Sequence, residues 1–402
     1  MHKLAIVTTH PIQYNAPWFK LLAQQPNLQV KVFYTWSQAV TNSKYDPDFG
    51  KVISWDIPLL EGYDYEFIKN IAKDPGSHHF KGINNPTLID KIAAWGPASI
   101  LVIGWSYNSH LSCMRHFKGK VQVLFRGDST LLDERPGFRK LVRRLFLTYV
   151  YSFIDIAFYV GTNNKQYFLK HGLKERQLRF ATHAIDNNRF YNNEYNEKER
   201  YWKQELGIPA DAFVLLFAGK LEPKKDPFFM VKLANELNDK NVYTIFVGNG
   251  ILENSLKEQT KQNKRILFLD FQNQQMMPSV YRLADVYILP SQGPGETWGL
   301  ALNEAMASGR AVMASNKVGG ALDLIQPYKN GFIFNSGDVT AATAFLNKII
   351  DNKELVEQMG KQSKQLIQSF SFKNLVNSIS GLINESFPDT EKKVLNVTIS
   401  NN

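Results

Sequence analysis

Two Rossmann-like, doubly wound α/β domains facing each other across a cleft are the fold that the sequence predicts. Three observations carry this expectation. The chain of 402 residues is too long for one ordinary core and suits about two domains. Short β-branched runs alternate with helical runs in both halves. Most of the strand candidates are continuous apolar runs, as parallel strands covered on both faces require.

In the first half the strand candidates are LAIVTT (4–9), VKVFYTW (30–36), ASILVIG (98–104), VQVLFRG (121–127), IAFYVG (156–161) and LRFATHA (178–184). Residues from about 41 to 97 break the rhythm and are expected to form an irregular insertion facing the cleft. The Asn-, Glu- and Lys-rich stretch 186–212 reads as a linker with a short helix at its end. The rhythm then restarts with VLLFAGK (214–220), VYTIFVGNG (242–250), ILFLDF (266–271), VYILPS (286–291), AVMAS (311–315) and GFIFN (331–335). The halves echo each other: SFIDIAFYVGTNN and YRLADVYILPSQG both read as helix, aspartate, strand and small-residue loop. The expected boundaries are 1–190 for the first domain and 191–370 for the second. A helix at 371–387 is expected to pack back on the first domain, with a disordered tail at 388–402.

Composition narrows the class. Hydrophobic residues make up 44% and charged residues 21%, a globular balance. The single cysteine, Cys113, makes no internal disulfide and suits a reducing compartment. Neither a signal peptide nor a membrane span is predicted, so the expected location is cytoplasmic. The net charge of +10 favours an acidic partner: nucleic acid, an anionic membrane or a phosphorylated small molecule.

The segment GPGETWGLALNEAMASG (293–309) reads as a strand exit, a tight loop and a helix closed by Gly309. A helix start offers unpaired N–H groups and partial positive charge, so it suits a phosphate. Gly299 and Leu300 sit where those amides point. Glu296 and Glu304, with seven residues between them, would bracket the anion and accept hydrogen bonds from hydroxyl groups on either side. A nucleotide sugar has that layout. In FAGKLEPKKDP (217–227), Gly219 ends a strand, and Lys220 and Lys225 are placed to neutralise a diphosphate or to form a solvated basic turn.

On the first domain, THPIQYNAPW (9–18) puts His10 and Gln13 at a strand's carboxyl end, hence at the cleft. His10 suits a general base, a donor to sugar or phosphate, or a structured loop histidine. FRGDST (125–130) exposes Arg126 and Asp128 to the same cleft; Asp128 would orient an acceptor hydroxyl or cap a turn. The segment 134–153 predicts a basic amphipathic helix. Arg139, Lys140, Arg143 and Arg144 lie beside Leu141, Leu145, Phe146 and Tyr149, so residues 138–150 suit an anionic membrane or a solvated face. Asp46-Pro47-Asp48 resembles a short two-aspartate metal pattern, taken as chance, and His78 and His79 are taken as isolated. No metal is expected. No aromatic stacking platform points to nucleic acid.

At GETWGLALNEAMASGRAVMASNKVGG the sequence resembles retaining glycosyltransferases of family 4, which have the GT-B fold. Their signature of two glutamates separated by seven residues is matched by Glu296 and Glu304. FAGKLEPKKDP looks like their Gly-Arg-Leu…Lys phosphate motif. The likeness covers most of 214–335, and AIDNNRF (184–190) is similar to their hinge segment. By this resemblance Glu296 would contact the donor sugar and Glu304 the ribose hydroxyls. Lys220 and Lys225 would stabilise the departing diphosphate, held by the amides from Thr297 to Leu300, with Gly219, Gly295, Trp298 and Gly299 shaping the donor site. The resemblance implies retention without a metal or other cofactor.

Four positions depart from the family pattern. Lys220 stands for the usual Arg, and Trp298 for Phe. THPIQY replaces a glycine pair after the first strand, and Arg126-Gly127-Asp128 stands where a histidine is common. The expected partners are a nucleotide-diphosphate sugar and a saccharide or lipid-linked acceptor, in surface polysaccharide assembly. The rival readings are an epimerase or phosphorylase on the same fold, or a non-catalytic basic membrane-binding protein.

Overall fold

The computed structural model describes residues 1–37, 44–46, 51–53, 56–134, 136–192 and 195–386. The expected disordered tail lies outside them, as do Pro47 and Asp48 of the two-aspartate motif.

Each half builds a parallel sheet. The first contains β1 (His2–Thr8), β2 (Leu28–Tyr34), β5 (Asp64–Phe67), β6 (Ser99–Ile103), β7 (Gln122–Arg126), β8 (Ile156–Tyr159) and β9 (Leu178–Phe180). Its order is β5-β2-β1-β6-β7-β8-β9, and every pairing is parallel. The short strands β3 (Lys44–Asp46) and β4 (Lys51–Ile53) form a separate antiparallel pair. The second sheet contains β10 (Phe213–Ala218), β11 (Val242–Val247), β12 (Ile266–Leu269), β13 (Val286–Leu289), β14 (Ala311–Ser315) and β15 (Gly331–Phe334). It is also parallel, in the order β12-β11-β10-β13-β14-β15. In both sheets the strand order reverses beside the first strand of the half, the switch point at which ligands bind.

The continuous apolar runs are explained by burial on both faces. In β1, Leu4 and Ile6 join a core with Trp18, Phe19 and Leu22, while Ala5 and Val7 join the opposite core with Ile92 and Met114. In β10, Val214 and Leu216 face one core and Leu215 and Phe217 the other. The sequence echo also has a structural meaning. Asp155 Oδ2 accepts the Val123 N–H at 2.8 Å, and Asp285 Oδ2 accepts the Val214 N–H at 2.7 Å. Each aspartate pins the start of one strand to its neighbour.

Two expectations need correction. The segment 41–97 is not wholly an irregular insertion: β5 extends the first sheet beside β2, and Leu88–Trp95 is helical. The β5 sequence DYEF is an edge strand with exposed Asp64 and Tyr65, so it lacks a buried strand's apolar run. The expected linker 186–212 is largely helical, at Asn187–Tyr191 and Tyr195–Glu205. Asp186 caps the first of these, accepting the Arg189 N–H at 3.2 Å, and Phe190 is fully buried. Arg282 donates to the carbonyls of Phe190 and Asn192 at 3.1 and 2.8 Å, which satisfies that helix end. The last described helix, Phe372–Ser386, packs Phe372, Leu375, Val376 and Ile379 into the first-domain core with Trp18 and Phe19. Among the described residues, no helix is long and apolar enough to cross a membrane.

Candidate active site

A cavity of about 800 Å³ lies between the domains at the carboxyl ends of the strands. On the second domain, the chain leaves β13 and turns through Gly293, Gly295 and Gly299, with φ of +72°, +88° and +93°. Gly299 opens the helix Leu300–Ala307. A side chain there would be strained by φ and would meet Leu289 and Val318 at 2.8 Å. The loop rests on Gly319 and Gly320, whose N–H groups donate to the Glu296 and Trp298 carbonyls at 2.9 Å each. A Cβ on Gly319 would collide with the Thr297 carbonyl. The VGG sequence is therefore the support on which GETW lies.

Glu296 is buried, accepts a hydrogen bond from Ser291 Oγ at 3.0 Å and pairs with Lys225 Nζ. Lys225 ends a 3-10 turn, Pro223–Lys225, beyond β10. Gln292 ties that turn to the glycine loop: its N–H donates to the Lys224 carbonyl at 2.9 Å and its side-chain amide to the Pro223 carbonyl at 2.7 Å. Lys220 and Gly219 line the same cavity. Glu304 is buried one turn inside the helix. Tyr14 donates to its Oε1 at 3.0 Å and Tyr281 to its Oε2 at 2.8 Å. Burial pushes the Glu304 carboxyl above its ordinary range, while the two phenols pull it down.

The first domain answers with Gln13, Asp128 and His183 on the cavity wall. Asp128 Oδ2 accepts the Thr297 hydroxyl across the cleft at 2.8 Å and stands 3.6 Å from His183 Nε2. The surrounding protein pushes the Asp128 carboxyl up, but His183 and Thr297 outweigh that effect and hold it at about 2. Burial lowers the His183 imidazole, and Asp128 works against it. Further contacts join the domains: Asp133 accepts the Gly295 N–H at 2.8 Å, and Asp323 accepts the Thr162 hydroxyl at 2.7 Å. The cavity thus holds a buried anion-compatible helix start, lysines, and carboxylates facing hydroxyl donors.

Residues 198–366 match the family model for glycosyl transferases group 1. That match falls on the second domain. The chain is 30% identical over 195 residues to D-inositol 3-phosphate glycosyltransferase of Corynebacterium glutamicum, covering 46% of each chain. It is 29% identical over 185 residues to the Escherichia coli UDP-Gal:alpha-D-GlcNAc-diphosphoundecaprenol alpha-1,3-galactosyltransferase, covering 44% of this chain and 46% of that one. These matches span about half the length of the curated relatives. Among solved structures, sucrose-phosphate synthase of Thermosynechococcus elongatus superposes with a TM-score of 0.73 at 17% identity, covering 96% of this chain and 99% of that one. Anabaena HepE in complex with UDP and glucose gives 0.68 at 16% identity, covering 96% and 100%. The whole architecture is GT-B.

Within the second domain the structure brings Gly219, Lys220, Lys225, Glu296, Thr297, Trp298, Gly299, Leu300 and Glu304 to one cavity. Gly295 lies in the same loop but is not among the lining residues. Trp298 takes the usual Phe position, and its indole N–H finds Asn303 Oδ1 at 2.9 Å. In the first domain, His10 departs from expectation. It packs edge-on against Trp36 at 5.2 Å and bonds Thr9 Oγ1 at 3.1 Å, apart from the cavity lining. Arg126 reaches the cavity wall but is not exposed. It is buried, and its guanidinium donates to the Ala181 and Thr182 carbonyls, the latter at 2.9 Å, positioning the loop that carries His183. Sequence reasoning missed Tyr14, His183, Tyr281 and Ser291. Tyr14 and His183 each follow a strand, in THPIQYNAPW and LRFATHA, and that position was the available signal. His78 and His79, expected to be isolated, converge on Asp74.

Proposed function

We propose that this chain is a retaining, metal-independent glycosyltransferase of hexosyltransferase type. Its donor is a nucleotide-diphosphate sugar. Its acceptor is a saccharide or lipid-linked glycan, in cell-surface polysaccharide assembly. One observation supports this reading above the others: Glu296 and Glu304 flank a glycine-built helix start in a cavity that also holds Lys220 and Lys225. A bare phosphate would need the helix start and the lysines but not the carboxylates. A molecule with hydroxyls on both sides of a diphosphate would use all four.

In the reaction the acceptor oxygen bonds to the anomeric carbon as the bond from that carbon to the diphosphate breaks. The acceptor proton passes to the departing phosphate oxygen. Attack occurs on the face from which the diphosphate leaves, so configuration is kept. Lys220, Lys225 and the amides from Thr297 to Leu300 stabilise the growing negative charge, the largest expected catalytic contribution. Glu296 holds the sugar and Glu304 the ribose. Gln13, Asp128 and His183 form the acceptor side.

The relatives fit this reading. Anabaena HepE has also been solved in complex with UDP-glucose, and the Escherichia coli galactosyltransferase is named for a diphosphoundecaprenol-linked acceptor. Peripheral attachment to the inner face of a membrane completes the proposal. The helix Phe138–Tyr151 exposes Phe138, Leu141, Leu145 and Tyr149 beside Arg139 and Arg144.

The test is turnover of a panel of nucleotide sugars with lipid-linked and free saccharide acceptors, with and without a chelator. Proton NMR reads the product anomer. Retained configuration and unchanged rates in chelator are expected. An inverted product would overturn the mechanism, and loss of turnover in chelator would overturn metal independence. Neither binding nor turnover of any nucleotide sugar would overturn the function.

A further inference from the structure

Away from the cleft, three metal-ligating side chains meet on one turn. Asp74, His78 and His79 lie between β5 and the 3-10 turn Phe80–Gly82, and their ligand atoms are all within 4.8 Å of one another. Both Nε2 atoms lie 3.2 Å from Asp74 Oδ2, and His79 Nε2 is also within hydrogen-bond reach of the Asp74 main-chain carbonyl at 3.1 Å. Charge-assisted hydrogen bonds are shorter, about 2.7–2.9 Å. At 3.2 Å the contacts are long hydrogen bonds, and the same spacing also suits ligands that share one ion. Ligands bonded to zinc at about 2.0–2.1 Å in a tetrahedron stand about 3.3 Å apart.

The turn is shaped to hold these groups. The Gly76 N–H donates to the Gly82 carbonyl at 3.0 Å, and the Gly82 N–H to the His79 carbonyl at 3.1 Å. A Cβ on Gly76 would collide with the His78 ring, and one on Gly82 with the Gly76 carbonyl. Both glycines are therefore needed for His78 to fold back over the turn. Tyr107, which lines the cavity, donates its hydroxyl to the Ser77 carbonyl at 3.2 Å. The turn thus rests against the acceptor-side wall.

We propose that Asp74, His78 and His79 form a binding site for a divalent transition metal of the zinc class. Two imidazole nitrogens and one carboxylate select such an ion over magnesium or calcium, which take oxygen ligands. Asp74 and His78 are largely open to solvent, so water completes the coordination and the ion exchanges. The ion clips the turn that backs Tyr107. It is distinct from the donor site and takes no part in the transfer proposed above.

The experiment uses the full chain, free of any histidine tag and stripped by chelator, titrated with zinc(II) and cobalt(II). One saturable equivalent is expected, with visible cobalt absorption bands of a four- or five-coordinate site and a thermal midpoint that rises with zinc. His78→Ala/His79→Ala and Asp74→Asn should each weaken binding by about tenfold or more and abolish the thermal shift. Asp74→Asn keeps a hydrogen-bond acceptor in place, and circular dichroism checks that each variant is folded. His116→Ala, outside the cluster, should bind as wild type. Binding that survives both cluster variants, or that is absent from wild type, would overturn the site.

Discussion

The two sides of the cleft are built by different means. The proposed donor side is nearly continuous in sequence. Ser291, Glu296, the helix start and Glu304 belong to one segment, held by Gly319 and Gly320 of the same domain. The proposed acceptor side is assembled from afar. Gln13, Asp128 and His183 come from three loops, Arg126 fixes one of them, and Thr297 of the other domain holds Asp128. A contiguous site depends on backbone shape, whereas a distributed one depends on tertiary contacts.

The largest effects should fall on the donor side. Lys225→Ala or Glu296→Gln should lower kcat about 10²–10³-fold, the usual cost of losing a group that meets developing charge. Asp128→Asn should lower kcat/KM for the acceptor far more than donor hydrolysis, because it faces the other substrate. Steady-state rates with each substrate varied in turn decide this. An Asp128→Asn enzyme as impaired in donor hydrolysis as Lys225→Ala would erase the division between the two sides.

Next in size is the support under the donor loop. Gly319→Ala places a methyl group against the Thr297 carbonyl, so it should destabilise the fold by about 1–3 kcal/mol and weaken nucleotide binding with it. Gly381 is the opposite case. It lies within the helix Phe372–Ser386, and a Cβ there meets nothing within 4 Å. Gly381→Ala should stabilise by about 0.5–1 kcal/mol and leave binding unchanged. Denaturant unfolding measures both, and equal signs would show that space around the backbone does not set these costs.

This contrast also explains what was legible in the sequence. The strands buried on both faces were readable because each needs an uninterrupted apolar run. The donor loop was readable because its glycines, its helix start and both carboxylates fall within a few turns of chain. β5 was hidden because an edge strand carries Asp64 and Glu66 where a central strand carries Val or Ile. Of the two linker helices, the expected one lies at Tyr195–Glu205, whereas Asn187–Tyr191 was hidden because amide-rich composition masks its periodicity. Tyr14 and Tyr281 were invisible as partners of Glu304 because each reaches it only through the tertiary fold. His10 was misplaced for a related reason. A strand's carboxyl end brings a residue near the cleft but does not aim its side chain, and Trp36 supplied a neighbour no local pattern announces.

The proposed membrane attachment involves the first domain alone and should be separable from donor chemistry. Neutralising Arg139 and Arg144 with glutamine should weaken binding to anionic vesicles by about 1 kcal/mol per charge at low salt, leaving donor hydrolysis in solution unchanged. Arg143 is the wrong choice for this purpose, since it donates to the Tyr167 hydroxyl at 3.3 Å. Vesicle sedimentation at two salt concentrations gives the answer. Unchanged binding would remove the membrane role from this helix.

The smallest effect lies where the two sides touch, at Tyr14 and Glu304. Burial raises the Glu304 carboxyl above its unfolded value, so the folded protein holds this proton more tightly than the unfolded chain does. Below the unfolded value both states are protonated and the group costs nothing. As pH rises from there through the folded value, the folded state must give up a proton it favours, and stability falls. Above that folded value the ionised carboxylate is a net cost, which the Tyr14 and Tyr281 hydroxyls reduce. Glu304→Gln removes the charge and keeps the shape. It should raise the thermal midpoint slightly at neutral pH, with the gain shrinking to nothing as pH falls below the ordinary carboxylate range, while nucleotide binding weakens. Midpoints measured across pH, with nucleotide titrations beside them, test both halves. A variant that is less stable at neutral pH would mean that the phenols more than offset the burial of Glu304, and that its carboxylate fastens the domains together besides serving the proposed ribose contact.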